Sequence, residues 1–129
     1  MSTRRPAGSK LTPINGGKNS EEKPPAALKD FNRLLNLFQM LDPDMPTQTV
    51  RTYVLVALAH PEAVLMSNLA QQLGIAQSSV SRNVAALSDW TRHHREGLDL
   101  IEARENPLDR RQKLVSLTSK GQKLLEQFS

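Results

Sequence analysis

The spacing of apolar residues changes along the chain, and each change marks an element. No apolar period runs through residues 1–25, which are rich in Ser, Thr, Gly, Pro and Lys and end on Pro24-Pro25. Such a segment cannot bury enough apolar surface to offset its ordering entropy, so a disordered tail is expected. From Ala26 to Leu41 the period is helical. At about 100° per residue, Ala27, Leu28, Phe31, Leu34, Leu35, Leu37, Phe38 and Leu41 cover about half the circumference. A helix packing on one small core needs a narrower stripe. The surplus predicts a contact with another chain through Leu28, Phe31, Leu34, Leu35 and Phe38, the alternative being a helix wedged deep inside one domain. Asp42-Pro43-Asp44 ends this helix. The next is expected from Pro46-Thr47 to His60, stopped by Pro61, with Val50, Tyr53, Val54, Ala57 and Leu58 inward.

A helix-turn-helix follows. Ser67 suits an N-cap, since its hydroxyl can accept from a free amide of the first turn. The short helix Asn68–Leu73 closes on Gly74, which can take the left-handed conformation of a helix end. Ile75 then points to the core and a new helix begins near Gln77. Ala70 is small where the two helices must cross, and Val80, Val84 and Leu87 form the inward stripe of the second. Its other face carries Gln77, Ser78, Ser79, Ser81, Arg82 and Asn83. Short polar groups beside one arginine let a helix sink into the major groove of DNA, where arginine pairs with guanine and glutamine with adenine. The bland alternative is a helical hairpin with a solvated polar face.

Beyond Leu87 an insertion, Ser88–Glu96, precedes a hairpin. Trp90 extends the buried stripe of the preceding helix, and Arg92 and Arg95 flank His93-His94. Adjacent histidines without carboxylate or thiolate partners do not make a metal site. The reading is a basic loop near phosphates. Gly97–Arg104 and Arg111–Leu117 are the expected hairpin arms, with Val115 and Leu117 inward and Gln112 and Ser116 outward. The tip, Glu105–Arg110, is stiffened by Pro107, and Asp109 can accept from nearby amides or from Arg111. A narrow minor groove concentrates negative potential and attracts arginine, so a rigid tip offering Arg110 and Arg111, with Lys113 behind, suits duplex DNA. Thr118 caps a last helix whose Leu124, Leu125 and Phe128 return to the core, and Gly121 permits close packing.

Composition narrows the field. With 129 residues there is room for one domain, 26–129, behind the tail. Only 4% of residues are aromatic, so Leu, Val, Ile and Ala must build the core. The absence of cysteine excludes disulfides and thiolate chemistry and fits a reducing cytoplasm, bacterial or that of an infected host. No apolar run approaches membrane-spanning length, and no signal peptide is expected. The net charge is +4, of which +3 falls in residues 1–25. The tail is therefore either a solubilising segment or an arm lying along phosphates, and charge alone does not argue for nucleic acid.

These residues resemble the MarR (multiple antibiotic resistance regulator) family of winged-helix transcription factors from about Met45 to Phe128. The most specific stretch is Asn106-Pro107-Leu108-Asp109-Arg110-Arg111 through Leu117-Thr118-Ser119-Lys120-Gly121, which is similar to the family's wing and following helix start. The resemblance implies that Arg111 enters the minor groove with Asp109 orienting it, and that the base-reading face is Gln77 through Arg82. Two departures stand out. Family members pass from the recognition helix to a Gly-Leu-Ile strand without an insertion, and they continue past the wing into long helices that dimerise and frame a ligand pocket. The short build resembles members encoded by bacteriophages and mobile elements.

The sequence thus predicts a mostly α fold with a small β-hairpin wing. The expected protein is a homodimeric regulator of transcription on double-stranded DNA, joined chiefly through the helix 26–41. Two rivals use the same fold: a sequence-nonspecific DNA-binding accessory of a phage, and a protein-interaction module that binds a host factor. No cofactor, metal or catalytic group is expected, because no nucleophile elbow, phosphate loop or carboxylate pair emerges. Operator, sign of regulation and effector are not encoded in any pattern found.

Overall fold

The computed structural model describes residues 23–88 and 97–128. Two compact units divide the chain, residues 1–33 and 34–129. The described part of the first holds Pro24-Pro25 and the start of helix α1 (Ala26–Leu41). There Leu28 and Phe31 are both more than half exposed, and Arg33 pairs with Asp30 at 3.1 Å.

The second unit contains the rest of α1, then α2 (Thr47–Ala59), β1 (Val64–Leu65), α3 (Met66–Leu73), α4 (Gln77–Leu87), β2 (Ile101–Asn106), β3 (Asp109–Leu117) and α5 (Ser119–Glu126). The fold is mostly helical with one antiparallel sheet in the order β1-β3-β2. Its core is aliphatic, as the low aromatic content required, with an edge-to-face pair, Phe38 on Tyr53, ring centroids 5.3 Å apart. No helix among the described residues is long and apolar enough to cross a membrane.

Several expectations are corrected here. Phe38 is only 1% exposed, so it belongs to the core of its own chain and cannot serve a second one. Leu34 and Leu35 also lean on that core while remaining half-buried. On α2 two stripes of helical spacing compete, offset by one residue. The all-apolar one includes Leu58, which is instead 76% exposed. The buried stripe is Thr49, Thr52, Tyr53 and Val56, joined by Val50. Two threonines can be buried because α4 satisfies them. Thr49 Oγ1 donates to Asn83 Oδ1 at 3.3 Å, Asn83 Nδ2 donates to Thr52 Oγ1 at 3.3 Å, and Thr52 Oγ1 donates to the Gln48 carbonyl at 2.7 Å. A buried polar group with its partners in place carries little of the penalty that an orphaned one would.

Ser67 does not cap α3. The chain enters that helix directly from β1, whose Val64 and Leu65 pair with Val115 and Leu114 of β3, so the helix begins at Met66 and Ser67 lies inside its first turn. The two-residue strand β1 was not foreseen, being too short to show a period. Gly74 ends α3 in the left-handed region (φ 69°) as expected, with its N–H bonded to the Ala70 carbonyl at 2.9 Å. Val80, Val84 and Leu87 face inward and Ala70 is buried.

The first hairpin arm begins at Ile101 rather than Gly97. Asp99 and Leu100 use their amides on the carbonyls of Ser88 (3.0 Å) and Leu87 (2.8 Å), the end of α4, instead of on a strand. The chain therefore re-enters the core where α4 leaves it. Trp90, Arg92, His93, His94 and Arg95 lie outside the described residues, as does the tail through residue 22.

Thr118 fixes the start of α5. Its hydroxyl accepts from the Gly121 amide at 3.0 Å and donates to the Asp99 carbonyl, where Asp99 sits at φ 57°, a conformation aspartate tolerates better than most residues. The Gly121 carbonyl accepts from the Tyr53 hydroxyl at 2.7 Å, and burial pushes that phenol up to about 12.

Candidate nucleic-acid interface

The helix-turn-helix is α3–α4, and α4 is its second helix. With Val80, Val84 and Leu87 spent on the core, the opposite face of α4 points away from it. Gln77, Ser78, Ser81 and Arg82 are exposed, while Ser79 is half-buried and accepts from Arg82 Nη2 at 3.1 Å. Asn83, read from the sequence as part of the same polar face, turns inward to Thr49 and Thr52. Those bonds, with the packing of α2 on α4, fix how far α4 is rotated about its axis. The α2 threonines are thus positioning groups that sequence reasoning missed. Their signal was legible, since Thr49, Thr52, Tyr53 and Val56 repeat at i, i+3, i+4 and i+7. Arg51 of α2 also reaches the Gln72 carbonyl at 3.4 Å near the end of α3.

The wing is the β2–β3 hairpin, and its tip is not a plain turn. Asn106 pairs with Asp109, yet the preceding residue, Glu105, pairs with Lys113. Arg110, Arg111 and Gln112 therefore stand opposite no residue of β2. An interruption of this kind bends a strand and re-aims its side chains. Here it carries both wing arginines, each of them exposed.

Local hydrogen bonds hold the tip. Asn106 Oδ1 accepts from the Leu108 amide at 3.0 Å, and Asn106 Nδ2 donates to Gln112 Oε1 at 3.1 Å. Asp109 accepts from Arg111 three times: from its amide (3.1 Å) and its Nε (3.0 Å) at Oδ1, and from its Nη2 (3.1 Å) at Oδ2. The guanidinium bonds, followed by the amide bond, hold the Asp109 carboxyl below its usual range and raise the Arg111 guanidinium. Arg111 keeps 89% of its side chain exposed in this fork, so it is oriented and still open to a partner. Gln112, expected to face outward, is half-buried by its bond to Asn106; Ser116 is half-buried too and accepts from Arg104 Nη1 at 3.1 Å. Lys113 is exposed. The bond between Asn106 and Gln112 is the part of the tip that the sequence did not show.

Wing and helix-turn-helix share one support, for α4 packs on β2 and α3 on β3. Among the described residues no group of His, Cys, Asp and Glu side chains gathers to hold a metal ion. An open apolar groove of about 290 Å³ lies elsewhere, lined by Leu37, Met40, Leu41, Leu100 and Leu124 and rimmed by Lys120, Lys123 and Gln127.

No protein-family model and no curated protein sequence matches the chain. Solved structures do. RV1404 from Mycobacterium tuberculosis is 26% identical with a TM-score of 0.53, over 78% of this chain and 65% of that protein. This chain thus spans just under two-thirds of that relative. A mutant of MepR from a multidrug-resistant S. aureus clinical isolate is 20% identical with a TM-score of 0.57, over 84% of this chain and 75% of its own. A MarR transcription factor from Planctomyces limnophilus is 20% identical with a TM-score of 0.52, over 93% and 78%. The chain has the winged helix-turn-helix fold of the MarR type.

Proposed function

We propose that this protein is a DNA-binding regulator of transcription, acting as a homodimer that sets α4 into the major groove and the wing into the adjacent minor groove. The observation that carries this reading is the wing tip, where an interrupted ladder exposes Arg110 and Arg111 while Asp109 pre-orients the second of them. Pre-orientation removes part of the ordering cost of binding. The exposed face of α4 supports the same reading, because it offers short polar groups and one arginine to base edges. Lys113, the tail, Arg92 and Arg95 are assigned to phosphates, where they add salt-dependent and sequence-blind affinity.

The proposed dimer face is the part of α1 left open in one chain, Leu28 and Phe31 with the half-buried Leu34 and Leu35. The exposed Met40 and Leu41, which line the apolar groove with Leu37, Leu100 and Leu124, also support a second copy. A two-fold dimer then presents two wings and two recognition helices to half-sites about one helical turn apart.

The test selects duplexes from a random pool and titrates the selected site and a scrambled one at two salt concentrations, with sedimentation of the free protein for its mass. Arg82→Ala is expected to cost about 1–3 kcal/mol on the selected site and to relax preference at one base pair. Equal binding of selected and scrambled duplexes, or an unchanged profile for the variant, would overturn base reading by α4.

A further inference from the structure

The wing carries one feature that arginine chemistry does not use. Leu108 is 94% exposed, more than any other large apolar residue among those described. It occupies the turn between β2 and β3 next to Pro107, where glycine, asparagine and aspartate are the usual residues. A scattered surface leucine needs no explanation, and Leu58 on α2 is one. Leu108 differs in two ways. Its backbone is clamped, with the amide held by Asn106 Oδ1, the Asn106 side chain tied onward to Gln112, and Asp109 tied to Arg111. It also stands at the point of a hairpin that carries Glu102 and Glu105 on one strand and, beyond Asp109, the exposed Arg110, Arg111 and Lys113 on the other.

An immobilised apolar tip with cations behind it matches a surface that is anionic on its walls and uncharged on its floor. The minor groove of duplex DNA is such a surface: phosphates line its ridges, and sugars and base edges form its floor. Within that floor the guanine amine is the one feature that separates G·C from A·T. Apolar side chains are used by other minor-groove proteins as wedges against base steps. Leucine accepts no hydrogen bond, so an amine pressed beneath it loses its water without a replacement, at a cost.

We propose that Leu108, backed by Pro107, is a specificity-determining residue of the wing, seated on the floor of the minor groove and selecting base pairs that lack the guanine amine. This rests on the DNA-binding reading above and assigns it a division of labour. Arg111 supplies affinity through charge, and Leu108 supplies discrimination through shape and desolvation.

The experiment uses the full chain and a duplex selected by it, with the base pairs under the wing changed to A·T, G·C or inosine·cytosine. Inosine keeps the major-groove edge of guanine and lacks its minor-groove amine. Wild type is expected to bind the A·T and inosine duplexes alike and the G·C duplex about tenfold more weakly. Leu108→Ser should flatten that preference and leave the salt dependence unchanged, while Leu108→Met should retain the preference. Arg111→Ala should weaken all three duplexes and make the salt dependence shallower by about one ion. Because Leu108 is in solvent, its variants fold as wild type does. A Leu108→Ser protein that still rejects G·C sinks the proposal, as does a wild type that treats inosine·cytosine like G·C. In both cases DNA binding itself stands. A wild type that selects no duplex at all removes the DNA reading and this inference together.

Discussion

Gly121→Ala is expected to lower the melting temperature by on the order of 15 °C, the largest effect of any substitution considered. A β-carbon at this position would overlap the Leu100 carbonyl oxygen. Neither side can give way cheaply. That oxygen accepts from the Thr118 amide at 3.1 Å, and the Gly121 carbonyl is held by the Tyr53 hydroxyl. Overpacking of this kind costs about 3 kcal/mol or more, a large share of the ~5–15 kcal/mol that stabilises a small domain. Gly74→Ala is the internal control. Nothing lies within 4 Å of its added carbon, so only the left-handed backbone (φ 69°) opposes it, at about 1–2 kcal/mol. Thermal unfolding followed by circular dichroism distinguishes the two, and equal melting points for both variants would mean that α5 slides away from Leu100 at no cost.

Arg111→Ala is expected to reduce DNA affinity about tenfold or more per half-site, whatever base pairs lie under the wing. Folding should be untouched, because the side chain is 89% exposed and its ion-pair partner among the described residues is Asp109. Asp109→Asn keeps the shape of the tip and removes the charge, so it should fall between wild type and Arg111→Ala. The sign of the pH effect follows from the same pair. The Asp109 carboxyl is depressed by its bonds to Arg111; it stays ionised above its ordinary value of about 3.9 and yields only as pH falls through its lower folded-state value. Between pH 5 and 8, roughly the range of ordinary binding assays, the orientation of Arg111 is therefore constant. Anisotropy titrations of the three proteins across that range check both claims, and a wing contribution that changes with pH there would point to a different titrating group.

Local chemistry made several features legible before any coordinates. The span Ala26–Leu41, the αL glycine at 74, the inward stripe Val80-Val84-Leu87, the Thr118 cap and the Asp109–Arg111 fork each depend on residues close in sequence, and their spacing or geometry shows in the chain. The wing was legible as a hairpin. Its boundaries were not, because Asp99 and Leu100 spend their amides on the end of α4, a long-range choice that no local pattern encodes.

On α2 the sequence held two stripes of nearly equal merit and no means of choosing. Apolar periodicity favoured the one containing Leu58, whereas the fold buries Thr49 and Thr52 because Asn83 lies opposite to bond them. The apolar face of α1 posed a similar problem. A wide stripe says that much surface must be covered, and only packing reveals that Phe38 is covered by its own chain while Leu28 and Phe31 are not.

The chain by itself therefore determined where the helices begin and end, the start of α3 excepted, which residues make the turn of the helix-turn-helix, and which side chains can pair across two positions. Tertiary structure decided which of two helical faces is inside, where the strand ladder breaks to expose Arg110 and Arg111, and that Asn83 bonds the α2 threonines instead of joining the exposed face of α4. The reason is range: capping, turn formation and i to i+2 pairing are settled among neighbours, whereas burial and register depend on partners dozens of residues away that only the folded chain brings together.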